Sequence, residues 1–274
     1  MNPIRRILVA VDASPQSLAA LEAAAQLASE LGAELVGVYV EDINLLRLAA
    51  LPTVLETGGA SARSRPMDER RMSQQLRSQA VRAARATAAA AGRTRVRWSF
   101  TVARGSIETE LRQAASTADL FVIGRAGWSG KRGLGSTARA MIAAGPARTM
   151  VIERVKRLRP TIMVVYDGEE RSQRAFDTAI SLAQAGGGFL VVGILAAEVE
   201  TAKTRQTEAA ELLRSYDIAA RYRWLLHVDV SELAEMVRSQ GDCILILPGE
   251  SALFEGMDLP EALDEFNCPV LLVQ

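Results

Sequence analysis

The sequence has few of the residues that metal sites, disulfide frameworks and general-base catalysts use. It contains two cysteines, Cys243 and Cys268, and one histidine, His227. The cysteines lack the spacing of a metal motif, and their scarcity argues against a disulfide scaffold and favours a reducing cytoplasm. No apolar run reaches the ~18 residues of a spanning helix, and no signal-peptide pattern is present. We therefore expect a cytoplasmic protein without a membrane partner.

Two common nucleotide-binding fingerprints are also missing. A Walker loop needs a glycine five residues before its Gly-Lys pair, but Arg125 stands there, and Arg132 rather than Ser or Thr follows Lys131. The glycine-rich stretch follows the fourth predicted strand and not the first, which excludes the dinucleotide fingerprint.

The formal net charge of zero hides an asymmetry. Residues 1–155 hold 21 Lys and Arg against 13 Asp and Glu, whereas residues 156–274 hold 11 against 19. The halves thus carry +8 and −8, and we expect them to attract and dock. Arginines between 63 and 97 lie mostly on one predicted helix without an aromatic ladder, which predicts a solvated face and no nucleic-acid partner.

The chain is an internal repeat. Residues 7–38 align with 162–194 at an offset of 155, and the ends of the two copies also match. We predict domains 1–154 and 155–274. Continuously apolar strands alternate with helices in each copy, which predicts an α/β protein. It would have two similar doubly wound domains, each a mostly parallel five-stranded sheet with helices on both faces.

The predicted strands and helices follow from apolar runs and capping residues. Predicted strands are 7–12, 34–40, 96–103, 120–123 and 149–152, then 161–166, 189–195, 220–226, 243–247 and 270–273. Predicted helices of the first copy are 15–31, 68–91, 106–116 and 137–144. The stretch 42–66 is predicted as loop or a partly helical insertion.

Ligands of open parallel sheets bind beyond the carboxyl ends of the strands. Three stretches of the first copy end there: 11–13, 38–40 and 124–136. Glycines let main-chain NH groups approach a phosphate, and the helix that follows directs its positive end at the anion. Lys131, Arg132 and Arg139 could add charge. Two simpler interpretations stay open: the glycine stretch as a surface connector, and Asp12 as a helix cap.

These residues resemble the universal stress proteins in their tandem two-domain form, whose fold is adenine nucleotide alpha hydrolase-like. The resemblance rests on Asp12 after the first strand, on Val40, and on a Gly-x-x-Gly…Gly-Ser pattern. Gly124, Gly127, Gly135 and Ser136 form that pattern. Seven residues separate Gly127 from Gly135, where ATP-binding members have nine.

The resemblance implies a bound adenine nucleotide (ATP, AMP or ADP), with Asp12 as an optional ligand of Mg²⁺. It places Asp12 near ribose and adenine, the main chain of Val40 at the adenine edge, and Gly127, Gly135 and Ser136 at the phosphates. The full set of cofactor-binding residues is Val11, Asp12, Ala13, Val40, Gly124, Gly127, Gly130 (as a substitute glycine), Gly135, Ser136 and Thr137.

The second copy departs from this pattern. It keeps an aspartate, Asp167, but its last loop has no Gly-Ser pair and is crowded by carboxylates. These are Glu250, Glu255, Asp258, Glu261, Asp264 and Glu265. Carboxylates repel phosphate, so we predict that this half does not bind ATP and instead docks against the first half or a partner. The family often pairs domains through their last strands, which a tandem chain could satisfy internally; a homodimer also stays open.

The sequence thus favours a stress-response protein that binds an adenine nucleotide in its first domain and acts by signalling, with no catalytic residue assigned. Two alternatives remain: a slow ATPase or adenylyl-transfer enzyme, and a nucleotide-free interaction module with an unknown protein partner. We interpret His227 and both cysteines as structural.

Overall fold

The structure is a computed structural model that describes residues 3–51, 55–57, 64–66, 68–126, 133–153, 161–186, 189–216 and 218–274. The strands of the first half are β1 (Arg6–Ala10), β2 (Glu34–Asp42), β3 (Leu55–Thr57), β4 (Ser64–Pro66), β5 (Trp98–Gly105), β6 (Leu120–Gly124) and β7 (Arg148–Ile152). Those of the second half are β8 (Thr161–Tyr166), β9 (Leu190–Ala196), β10 (Ala220–Leu226), β11 (Cys243–Pro248) and β12 (Val270–Val273).

Helices connect these strands. They are α1 (Pro15–Leu31), α2 (Ile43–Ala49), α3 (Glu69–Thr94), α4 (Ile107–Ala115), α5 (Ser136–Ala144), α6 (Glu170–Gly186), α7 (Val199–Leu213), α8 (Val230–Ser239) and α9 (Leu259–Asp264). A 3₁₀ turn at Ala252–Phe254 precedes α9.

Among the described residues, ten strands form one sheet in the order β10-β9-β8-β11-β12-β7-β6-β1-β2-β5. Within each half of this sheet all strand pairs are parallel. Both halves have the same strand order, read outward from the centre. The order reverses between β1 and β6 in the first half and between β8 and β11 in the second. These two gaps are the topological switch points where such sheets bind ligands.

The two halves join through their last strands. β7 and β12 pair antiparallel, with Val151 opposite Val270 and Arg148 opposite Val273. The predicted five-stranded sheets are therefore two parts of one continuous sheet. This joint satisfies two strand edges that would otherwise be exposed.

Helices cover both faces of the sheet, as the apolar strands predicted. α1, α3, α6 and α7 pack on one face around residues such as Leu21 and Phe176. α4, α5, α8 and α9 pack on the other around residues such as Met141 and Phe266. Strands with both faces covered are apolar throughout, and every residue of β6 is buried.

Helix α1 shows how local sequence places an element. The Ser14 hydroxyl accepts a hydrogen bond from the NH of Ser17, Pro15 occupies the first turn, and Gly32 ends the helix with φ of 65°. A serine cap and a left-handed glycine are the standard end signals of a helix. The predicted bounds 15–31 are confirmed.

The variable stretch 42–66 is partly helical, because it contains α2, and β3 pairs with β4 inside it. Helix α3 runs three residues beyond its predicted end and stops at Arg95, which has φ of 56°. The alternation in β5 marks an edge strand, whose Trp98 and Val102 are exposed.

Candidate functional site

A pocket of about 220 Å³ lies at the switch point of the first half. The ends of β1, β2 and β6 form its floor, and the first turns of α4 and α5 form its sides. Its lining includes Ala10, Val11, Asp12, Ser17, Val38, Tyr39, Val40, Ile107, Leu111, Ile123, Gly124, Arg125, Ala126, Gly135, Ser136, Thr137 and Ala138. The floor is thus mostly apolar, and the polar side chains are Asp12, Ser17, Tyr39 and Arg125 together with those at the start of α5.

Most of the residues predicted for the ligand site meet in this pocket. Val11, Asp12, Val40, Gly124, Gly135, Ser136 and Thr137 all line it. Ala13 does not line it and lies in the turn after β1. Gly127 and Gly130, with Lys131 and Arg132, fall outside the described residues.

Asp12 holds the turn that leads into α1. Its Oδ1 accepts a hydrogen bond from the NH of Ser14 at 2.8 Å, and its own NH donates to the Ser17 hydroxyl at 3.3 Å. Between them Ala13 adopts φ of 60°, a left-handed conformation that costs free energy in a residue with a Cβ. Strain of this kind is common beside functional sites.

The second half repeats this turn. Oδ1 of Asp167 accepts from the NH of Glu169 at 3.0 Å, and the NH of Asp167 donates to the Ser172 hydroxyl at 3.3 Å. Gly168 takes the left-handed position, with φ of 82°. The shared geometry shows that this aspartate shapes the turn in both halves. Asp12 does not cap α1, because the N-cap is Ser14, so the interpretation of Asp12 as a helix cap is wrong.

Gly124 has a packing reason to be glycine. A Cβ there would lie 2.9 Å from the carbonyl carbon of Gln16, in the first turn of α1. The missing side chain lets α1 start directly against the end of β6, which brings Asp12 and Gly124 to the same pocket.

The amino-terminal end of α5 faces the pocket. Its N-cap is Gly135, and none of the side chains that the structure describes caps it. The first NH groups of a helix have no partner within the helix, and together with the helix dipole they attract an anion. Gly135, Ser136 and Thr137 therefore give the pocket a wall suited to phosphate.

Tyr39 is the large polar side chain of the pocket. Its hydroxyl donates to Oε1 of Gln79 at 2.9 Å, which ties the end of β2 to α3. Burial, and then the negative charges of Glu41 and Asp12, raise the pKa of Tyr39 to about 12. Sequence reasoning noted this residue only as part of the stretch 38–40 and assigned it no role.

The structure corrects the expected role of Arg139. Its guanidinium donates to Oδ2 of Asp264 at 2.7 Å and to the carbonyl of Leu134 at 3.2 Å, and it does not line the pocket. Arg125, which sequence reasoning noted only for breaking the Walker pattern, also reaches the second half, at Asp264. The charge asymmetry predicted docking between the halves. It could not predict which residues pair, because partners 125 or more residues apart leave no local pattern in the sequence.

The corresponding cavity of the second half has different chemistry. It is lined by residues including Asp167, Glu169, Glu198, Glu250, Glu255, Arg205 and His227. Five carboxylates thus surround one arginine, and the segment before α9 supplies Glu250 and Glu255 where the first half has glycines. This cavity disfavours a polyphosphate.

Within the part of the chain that the structure describes, no group of three or more His, Cys, Asp and Glu is arranged to hold a metal ion. No described helix has the length and apolar character needed to cross a membrane.

The sheet order is that of an α/β protein. A pocket of the kind that binds ligands lies at the switch point of its first half, beside the start of α5. The family model of the universal stress protein family matches residues 3–153. This chain belongs to that family.

The first two of the following solved structures show the same fold. A universal stress protein from Archaeoglobus fulgidus DSM 4304 superposes with a TM-score of 0.73 at 14% identity, over 98% of each chain. The cytoplasmic domain of a prokaryotic cation chloride cotransporter has a TM-score of 0.50 at 11% identity, over 98% of this chain and 95% of its own. A universal stress protein in complex with cAMP has a TM-score of 0.38 at 18% identity, over 56% of this chain and 99% of its own. No curated protein sequence matches significantly.

Proposed function

We propose that this chain is a cytoplasmic stress-response protein whose first domain, residues 1–154, binds an adenine nucleotide, with residues 155–274 forming a second domain that does not. Its activity would be binding and signalling, so that the nucleotide biases the first domain between states that a partner recognises. The observation that carries this proposal is the helix start of α5 (Gly135–Thr137), which no described side chain caps and which lies in the wall of the switch-point pocket.

The size and lining of the pocket suit a nucleoside whose phosphates lie at the wall formed by the start of α5. Its volume of about 220 Å³ is below the roughly 300 Å³ at which pockets for drug-sized ligands begin. Val38, Val40 and Ile123 supply an apolar floor for a base, and Asp12 stands where a sugar hydroxyl could donate to it. The phosphates would then lie against the NH groups of Ser136 and Thr137.

The residues that line the pocket suit the binding of a nucleotide better than its hydrolysis. Among the described lining residues, Asp12 is the only carboxylate, and one of its oxygens is engaged by Ser14. General-base catalysis needs a group placed to orient and deprotonate the attacking water. The only histidine, His227, lies at the other cavity, in the second half.

The proposal is tested by placing a negative charge where the phosphates would lie. Ser136→Asp should weaken ATP binding by about tenfold or more, because like charges in an interface cost several kcal/mol. An acidic residue in the first turn favours the helix itself, so the variant should fold normally. Thr201→Asp, in the first turn of α7 beside the second cavity, is the matched control and should bind ATP like the wild type.

Isothermal titration gives both affinities, and thermal melting confirms that each variant is folded. Equal ATP affinity in Ser136→Asp and the wild type would contradict the proposed site. Absence of any saturable ATP binding by the wild type would contradict nucleotide binding altogether.

A further inference from the structure

We propose that Asp264, in the second half, is a positioning residue for the phosphate end of the nucleotide site in the first half. This inference rests on the proposed function and deepens it. The second domain, which lacks the glycine pattern, thereby acquires a definite role, because it fixes the start of α5.

The Asp264 carboxylate bridges three groups of the first half. Oδ1 accepts from the NH of Leu134 at 2.8 Å and from Arg125 at 3.2 Å, and Oδ2 accepts from Arg139 at 2.7 Å. Gly133 lies directly beside it, since a Cβ there would be 3.0 Å from Oδ2. One carboxylate therefore contacts the two residues before the N-cap of α5 and a residue of that helix.

Arg125 extends the same contact on the other side. Its guanidinium donates to the carbonyl of Leu263, in the last turn of α9, at 2.9 Å and to that of Phe266, just after the helix, at 2.7 Å. The side chain is buried, with 7% of its surface exposed. A buried guanidinium needs this full set of acceptors, because an unpaired charge in the interior is strongly destabilising.

The main chain links these contacts to the helix start. The NH of Gly135 donates to the carbonyl of Arg125 at 2.8 Å, and the NH of Arg125 donates to the carbonyl of Ile152 in β7 at 2.8 Å. Arg125 and Gly135 are thus held together, and Asp264 fixes Leu134, which directly precedes Gly135. The orientation of the first NH groups of α5 depends on these hydrogen bonds.

The Asp264 carboxylate lies behind the site. Asp264, Arg139 and Leu134 do not line the pocket, whereas Arg125, Gly135, Ser136 and Thr137 do. The charge of Asp264 is also offset by two guanidinium groups. Asp264 therefore acts through the position of the helix start and not by touching the ligand, and preorganisation of this kind raises affinity by reducing the ordering cost of binding.

The adenine end of the pocket has no such connection to the second half within the described residues. Val38, Tyr39 and Val40 belong to β2, which is held by β1 and β5. Loss of Asp264 should therefore weaken the phosphate contribution to binding and spare the nucleoside contribution. This difference separates a positioning role from a general loss of structure, which would weaken both.

The test compares ATP with adenosine on the full chain. Asp264→Asn should weaken ATP binding about tenfold, which is less than the loss seen when a fully buried charge pair is broken, because Asp264 is partly exposed and acts indirectly; it should leave adenosine affinity within about twofold. Asp258→Asn, an exposed N-cap of the same helix, α9, is the matched control and should change neither affinity. Binding is measured by calorimetry and the fold of each variant by thermal melting.

If Asp264→Asn does not fold, Arg139→Gln removes the other side of the bridge at a half-exposed position and should show the same ATP-selective loss, by about threefold for a partly exposed pair. If both single variants fold, the losses should not add in the double variant, since both changes break one contact.

Three results would overturn the inference while leaving the proposed function intact: unchanged ATP affinity in both variants, equal weakening of ATP and adenosine, or tighter ATP binding. The last result would mean that Asp264 acts as an opposing charge. Failure of the wild type to bind either ligand would instead remove the proposed function and this inference together.

Discussion

Arg205 of α7 donates a hydrogen bond to the main-chain carbonyl of Leu195, at the end of β9. The sheet registers place Leu195 where Val40 lies in the first half, because Gly193 pairs with Val165 as Val38 pairs with Ala10. The same guanidinium covers Gly168, whose Cβ would lie 3.3 Å from Nε of Arg205. In the second half, the Arg205 side chain thus occupies the place at which the first half would hold a base.

The wild type should therefore bind one ATP per chain. Arg205→Ala uncovers the Leu195 carbonyl but should leave the stoichiometry at one, because Glu198, Glu250 and Glu255 still line that cavity and repel phosphate. Native mass spectrometry of the ATP-loaded protein measures the number bound. Two nucleotides on the wild-type chain would show that the second half is also a nucleotide site.

Gly124→Ala should destabilise the protein, because the new Cβ would meet the main chain of Gln16 at 2.9 Å. Overpacking of this kind costs about 1–3 kcal/mol, measured by urea unfolding. Gly92→Ala is the matched control: it lies on the exposed side of α3 with nothing within 4 Å of its Cβ position. It should stabilise the chain by about 0.5–1 kcal/mol. Equal effects of the two substitutions would contradict the close approach of α1 to β6.

Tyr39 should make stability depend on pH at the alkaline end. Its pKa is raised to about 12 in the folded chain and is about 10 in an unfolded one. The folded state therefore favours the neutral hydroxyl, and this contribution is complete below pH ~10 and is lost as the pH rises toward 12. Urea unfolding from pH 9 to 11.5 should show a shallower decline in Tyr39→Phe than in the wild type. Parallel declines would mean that Tyr39 titrates normally.

Both cysteines should be unreactive in the folded protein. Cys243 and Cys268 are buried with free thiols. The hydrogen bond between the two thiols, together with burial, raises the pKa of Cys268, whereas the same hydrogen bond lowers the pKa of Cys243, so Cys243 is protected by its burial. Only thiolates react quickly. A colorimetric thiol reagent at pH 8 should label neither cysteine in native protein and both in denaturant. Rapid labelling of the native protein would show that one thiol is exposed or ionised.

The sequence predicted the elements whose signals are local. Pro15, Ser14 and Gly32 set the ends of α1, and apolar runs located the strands, because a strand covered on both faces can carry no charge along it. The pocket position followed from strand order, which placed Asp12, Val40 and Gly135 at one edge of the sheet.

Contacts between distant segments could not be predicted in the same way. The pairing of Arg125 with Asp264 joins residues 139 positions apart, and its only trace in the sequence is the opposite charge of the two halves. Arg139 was expected at the ligand because it follows a glycine loop, but its direction is set by Asp264, which local spacing does not reveal. Tyr39 was passed over because a tyrosine in a strand has no pattern that separates a core residue from a pocket residue.

The amide resonances of Ser136 and Thr137 test the central claim most directly. In a ¹⁵N-labelled full chain, titration with ATP should shift both amides, whereas adenosine should shift residues of β2 such as Val40 and leave Ser136 and Thr137 nearly unchanged. That result would place phosphate on the helix start of α5 and the base at the end of β2. Saturating ATP that shifts neither amide would contradict the account.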